Sequence, residues 1–92
     1  MQLAMVVDDS KLQRRILGAS LRKWGFSVVE AASGPEAIEK CKAQLPDLVL
    51  SDWVMPGMSG LKFCREFRAL SETQYGYFIL LTSKSEKAEV AK

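Results

Sequence analysis

Three short apolar runs in this chain each stop at oxygen-bearing side chains, and few architectures accommodate that arrangement. Leu3 to Val7 ends at Asp8-Asp9-Ser10, Leu48-Val49-Leu50 at Ser51-Asp52, and Phe78-Ile79-Leu80-Leu81 at Thr82-Ser83. None of the runs alternates apolar with polar residues, so each reads as a strand buried on both faces. Phe26-Ser27-Val28-Val29-Glu30-Ala31 reads as a further, more polar strand. Strands covered on both faces need helices on both sides, and the intervening stretches supply them.

Ile16, Leu17, Leu21 and Trp24 recur at helical spacing among Lys11, Arg14, Arg15, Arg22 and Lys23, which predicts an amphipathic helix closed by Gly25. Ser33-Gly34-Pro35-Glu36 opens a second helix, with Ser33 or Gly34 near the N-cap and Ala37, Ile38, Cys41 and Leu45 as its apolar stripe. Residues 61–70 form a third, carrying Phe63 and Phe67 four apart, and Ser85 to Val90 reads as the first turns of a fourth. Strand and helix therefore alternate, which predicts an α/β domain: a parallel sheet with right-handed crossovers and helices on both faces.

Composition narrows the function classes. The 92 residues suffice for one domain, and a net charge of +2 from dispersed Lys and Arg is a weak basis for a nucleic-acid surface. The sequence has no histidine, and its two cysteines, Cys41 and Cys64, fall in apolar helical stretches without metal-ligand spacing. They read as core thiols in a reducing cytoplasm. The amino terminus has neither the basic region of a signal peptide nor the length of a membrane span.

In an open α/β sheet, ligands gather at the carboxyl ends of the strands. Asp8, Asp9, Asp52, Thr82 and Ser83 all fall at that edge. Three carboxylates so close repel one another unless a cation compensates them. Magnesium suits the donor set, because it is commonly held by one or two carboxylates and shares its other positions with water and phosphate; manganese is an alternative. An aspartate can act as a nucleophile toward phosphorus. Taken singly, Asp9 or Ser10 is equally a helix cap, Asp52 a loop-start residue and Thr82 a turn residue. Their coincidence at one edge points to a magnesium-assisted phosphoryl site.

Val6-Val7-Asp8-Asp9-Ser10, the stretch from Pro46 to Gly60 with its Asp-x-x-Met-Pro-x-Met-x-Gly pattern from Asp52, and Ile79-Leu80-Leu81-Thr82-Ser83 resemble, in order and along nearly the whole chain, the receiver domains of bacterial response regulators. The resemblance implies a flavodoxin-like doubly wound sheet in the order 2-1-3-4. It implies that Asp52 accepts a phosphoryl group from a histidine kinase or a histidine phosphotransfer protein. Asp8 and Asp9 would hold magnesium together with Asp52 and the backbone carbonyl of Trp53. Thr82, with Ser83 beside it, would supply the switch hydroxyl. Lys11, Leu12, Arg14 and Arg15 would lie where phosphodonor proteins dock, and an output domain or protein would read the result.

The sequence departs from that family in one respect. Receivers normally continue to a fifth strand, with an aromatic switch residue and a phosphoryl-pairing lysine, and then to a fifth helix. Neither falls within residues 1–92, so the chain reads as a receiver cut within its fourth helix. Lys84, two residues after Thr82, is not that lysine; with Val54, two after Asp52, it would flank the path of attacking water and tune phosphoryl lifetime. Residues 78–82 would become a hydrophobic edge and a template for a homodimer. A pseudo-receiver acting only as an interaction module keeps the fold without the chemistry. A haloacid-dehalogenase-type phosphatase would need Asp-x-Asp where this chain has adjacent aspartates, and a flavin binder would need a Ser/Thr/Gly-rich loop after the first strand.

Overall fold

The computed structural model of the protein describes residues 2–55, 57–70, 76–81 and 88–91. In chain order the elements are β1 (Leu3–Val7), α1 (Lys11–Lys23), β2 (Ser27–Ala31), α2 (Gly34–Ala43), β3 (Leu48–Asp52), α3 (Gly60–Leu70), β4 (Tyr77–Leu81) and β5 (Ala88–Ala91). The first four strands are parallel in the order β2-β1-β3-β4, the doubly wound arrangement expected.

Local chemistry sets the helix limits. The Ser10 hydroxyl accepts the Gln13 amide at the start of α1, and the Ser33 hydroxyl does the same for Glu36 at the start of α2. The Ser59 hydroxyl accepts the Lys62 amide at the entrance to α3. Gly25 follows the end of α1 with φ of 96°, a conformation glycine adopts without steric penalty.

The pleat of β1 divides the core. Met5 and Val7 face α2 and α3, in a cluster with Ala37, Cys41, Phe63, Phe67 and Phe78. Ala4 and Val6 face α1, packing with Leu17, Leu21 and Val28. Ile16 and Trp24, expected in the apolar stripe of α1, are instead 52% and 77% exposed. Of that stripe Leu21 is buried and Leu17 half-buried against the core, with Gly18 buried beside them.

Residues 88–90, expected to belong to a helix, lie in β5, which pairs antiparallel with β4 through Phe78↔Ala91, Ile79↔Val90, Leu80↔Glu89 and Leu81↔Ala88. Without β5, an apolar strand would leave its outer backbone groups unpaired. The connection 82–87 is too short for a parallel crossover, which takes a dozen or more residues, whereas an antiparallel return needs only a turn. The sheet thus has a fifth member, and the ground for a homodimer through residues 78–82 is removed along 78–81: that edge is already paired within the chain. Among the described residues, no helix is long and apolar enough to cross a membrane.

Candidate functional site

The carboxyl ends of β1 and β3 lie side by side, since Val7 is in register with Ser51. Asp8 and Asp52 therefore emerge as neighbours from a largely apolar layer. Each is only 8% exposed, and they are, with Ser51, the buried polar residues among those described. Asp9 is exposed, at the rim. One carboxylate oxygen from each of Asp8, Asp9 and Asp52 lies within 4.8 Å of the others. They open onto a cleft of about 430 Å3, lined also by Ser10, Gln13, Val54 and Leu81.

Ser10 caps α1, which leaves the Asp9 carboxylate free of that task. The Asp8 carboxylate accepts the Ser10 amide at 2.9 Å. Burial holds the Asp8 carboxyl above its ordinary value; that amide opposes the shift, and the charges of Asp52 and Asp9 reinforce it. Such a cluster is paid for in repulsion unless a cation joins it, and its all-carboxylate oxygen set fits a hard divalent ion.

The loop after β3 is fixed by Gly60. Its amide donates to the Trp53 carbonyl at 2.8 Å. A Cβ on Gly60 would stand 2.3 Å from the Asp52 carbonyl oxygen, so α3 can approach β3 this closely only with glycine there. Trp53 packs against the core and does not line the cleft, whereas Val54 does. The carbonyl expected from Trp53 is thus already an acceptor, with one lone pair remaining.

Of the α1 residues, Lys11, Leu12 and Arg15 are exposed. Leu12, at 69%, and Ile16 make an exposed apolar pair one turn apart. Arg14 turns inward, donating to the Asp8 carbonyl at 2.7 Å and to Glu30 at 3.3 Å. Sequence reasoning missed Glu30, because a lone acidic residue in a polar strand carries no motif. Thr82, Ser83, Lys84 and Pro56 lie outside the described residues. Cys41 and Cys64 are buried free thiols, and burial pushes the Cys41 thiol up to about 11, far from a reactive thiolate.

Residues 4–92 match the family model described as the response regulator receiver domain. The chain is 41% identical over 88 residues to the chemotaxis protein CheY1 of Helicobacter pylori, covering 94% of this chain and 71% of the relative. It is 37% identical over 84 residues to the phosphate regulon transcriptional regulatory protein PhoB of Rhizobium meliloti, covering 91% of this chain. It spans about a third of that relative's length, 37%. The response regulator TrrA of Thermotoga maritima, solved with Mg2+ and BeF, superposes with a TM-score of 0.82 at 36% identity, over 90% of this chain and 70% of that one. TrrA has also been solved in complex with the histidine kinase ThkA; that copy has a TM-score of 0.81 at 36% identity, over 92% and 72% of the two chains. With paired aspartates after β1, a buried aspartate ending β3 and this sheet order, the chain belongs to the response regulator receiver family of two-component signalling proteins.

Proposed function

We propose that this chain accepts a phosphoryl group on Asp52 in a magnesium-dependent reaction and passes the change to an output partner. The observation that carries this reading is the convergence of the Asp8, Asp9 and Asp52 oxygens within 4.8 Å, with Asp52 buried at the end of β3. Asp8, Asp9 and Asp52 would hold the cation, with manganese a substitute, and a bound divalent ion would neutralise the charge gathering on the phosphoryl oxygens. Val54 lines the cleft and Trp53 does not, so a loop carbonyl ligand is better supplied by Val54.

Asp52 would attack with a carboxylate oxygen in line with the bond to be broken. The new bond joins that oxygen to phosphorus, the phosphorus–nitrogen bond of a phosphohistidine breaks, and the imidazole leaves with its electron pair. The protein contributes position and charge compensation rather than a proton relay. Thr82 would then supply the hydroxyl that meets the phosphoryl group, with Ser83 beside it. Val54 and Lys84 would set how readily water reaches the phosphoryl group.

The donor is a histidine kinase or a phosphotransfer protein, docking on the ridge of Leu12 and Ile16 flanked by Lys11 and Arg15. The complex of TrrA with ThkA supports a kinase partner. Buried free thiols at Cys41 and Cys64 suit a reducing cytoplasm.

The test is intact mass after incubation with acetyl phosphate and magnesium. A phosphoryl adduct is expected on the parent, and none on Asp52→Asn or in metal-free samples. A folded parent that gains no adduct overturns the reading. Followed over time, the same adduct is expected to decay at a different rate in Val54→Asn. With a phosphohistidine protein as donor, Leu12→Ala is expected to slow labelling that acetyl phosphate leaves unchanged.

A further inference from the structure

Arg14 is the one basic side chain among those expected to dock a partner that the fold has turned away from solvent, leaving it 15% exposed. Its Nη1–H donates to the Asp8 carbonyl at 2.7 Å, and its Nε–H to Glu30 Oε1 at 3.3 Å. The Asp8 amide donates to the Ala31 carbonyl at 3.1 Å. Both backbone groups of Asp8 are therefore tied to the end of β2, one directly and one through Arg14.

The backbone at Glu30 is itself tied. Its carbonyl accepts Lys40 Nζ at 2.5 Å, Lys40 pairs with Glu36 at 3.0 Å, and Glu36 accepts the Ala32 amide at 3.3 Å. A frame built from β2 and α2 thus ends on the peptide between Asp8 and Asp9. Asp9 projects from that peptide into solvent, so the plane of the peptide decides where its carboxylate goes. Glu30 holds the Nε side of the guanidinium while Nη1 reaches the Asp8 carbonyl.

We propose that Arg14 is a positioning residue for the cation site, orienting the Asp8–Asp9 peptide, and that Glu30 holds it in that role. The proposal rests on the metal-dependent reading above. It differs in sign from a purely electrostatic role. A positive charge beside the site repels an incoming cation, so an Arg14 that contributed charge alone would weaken magnesium binding, and its removal would tighten it. A positioning Arg14 strengthens binding, and its removal loosens it, in the way that groups orienting metal ligands do.

The experiment is a magnesium titration of the whole chain, followed by Trp53 emission in a Trp24→Phe background, since Trp24 is exposed at the far end of α1. An Asp52→Asn control establishes that the signal reports the site. Arg14→Ala is expected to raise the dissociation constant about tenfold. Arg14→Lys keeps the charge but presents a single ammonium in place of the planar fork, and is expected to recover little of the loss. Glu30→Gln is expected to raise the constant several-fold, and Arg14→Ala with Glu30→Gln to be no weaker than Arg14→Ala alone, because the two act in series.

Tighter or unchanged binding in Arg14→Ala overturns the proposal, as does full rescue by Arg14→Lys. Should circular dichroism show that Arg14→Ala does not fold, unchanged binding in Glu30→Gln overturns it instead. A folded parent that gives no magnesium response defeats the metal reading and this proposal together; a responsive parent with unaffected variants defeats this proposal alone.

Discussion

Asp8 illustrates a conflict between what the fold wants and what the site needs. Burial raises its carboxyl above the ordinary value, with the neighbouring carboxylates pushing the same way. A carboxyl whose folded value is raised favours the folded state below its unfolded value and loses that contribution as pH rises through the folded one. At neutral pH and without a cation, ionised Asp8 therefore costs stability. Asparagine retains an oxygen for the Ser10 amide and carries no charge. Asp8→Asn is expected to raise the metal-free melting temperature by a few degrees at pH 7, with the gain shrinking toward pH 4, while the magnesium response is lost. Thermal denaturation across that pH range checks it, and an unchanged or lowered melting temperature at pH 7 contradicts it. The same scale marks where sequence reasoning stops. Asp8, Asp9 and Asp52 were legible because each is a polar residue ending an apolar run, whereas the partnership of Arg14 with Glu30 spans two elements whose approach no local pattern encodes.

Gly60 shows how one element can be set by the absence of a side chain. A methyl group there would stand 2.3 Å from the Asp52 carbonyl oxygen and 3.0 Å from Trp53 Cα, both backbone atoms that move only with β3 and its loop. At Gly34 the contacts are all with Met58: Sδ at 2.6 Å and Cγ at 3.0 Å can rotate away, and only Cβ at 3.0 Å needs a small shift of the loop. Gly60→Ala is accordingly expected to cost about 1–3 kcal/mol of stability, as overpacking does, and to displace Asp52 enough to impair magnesium binding. Gly34→Ala is expected to cost less and to leave magnesium binding intact. Chemical denaturation and the Trp53 titration compare the two, and equal effects would contradict the distinction. For α1, periodicity offered Ile16, Leu17, Leu21 and Trp24 as one stripe, yet of these only Leu17 and Leu21 pack. Adjacent helical positions differ by about 100° around the axis, so two overlapping stripes compete and only the position of the sheet selects between them. β5 was illegible for a related reason. Ser85 to Val90 has adequate helix propensity, but the unpaired edge of β4 exerts a tertiary demand that propensity cannot anticipate.

Across the whole molecule, the core and the site pull on one folding equilibrium. Phe67 is fully buried between α3 and the sheet, with its ring 5.6 Å from that of Phe78. Truncating such a residue to alanine typically costs about 3–5 kcal/mol, a large share of the roughly 5–15 kcal/mol that holds a domain together. A ligand that binds only the folded state returns stability by mass action, about 2.7 kcal/mol at a hundred times its dissociation constant. Magnesium at that concentration is therefore expected to raise the melting temperature of the parent by about 10–20 °C, a range typical of domains this size. It is expected to restore much, though not all, of the loss in Phe67→Ala, because the core contacts lie beneath the sheet and the cation acts at its edge. Adding Asp52→Asn to Phe67→Ala is expected to abolish that recovery while leaving the core defect in place. Thermal melts of the parent and both variants, with magnesium and with chelator, measure these differences. A recovery that survives Asp52→Asn would locate the cation's effect elsewhere on the surface, and a parent indifferent to magnesium would separate the fold from the chemistry proposed for it.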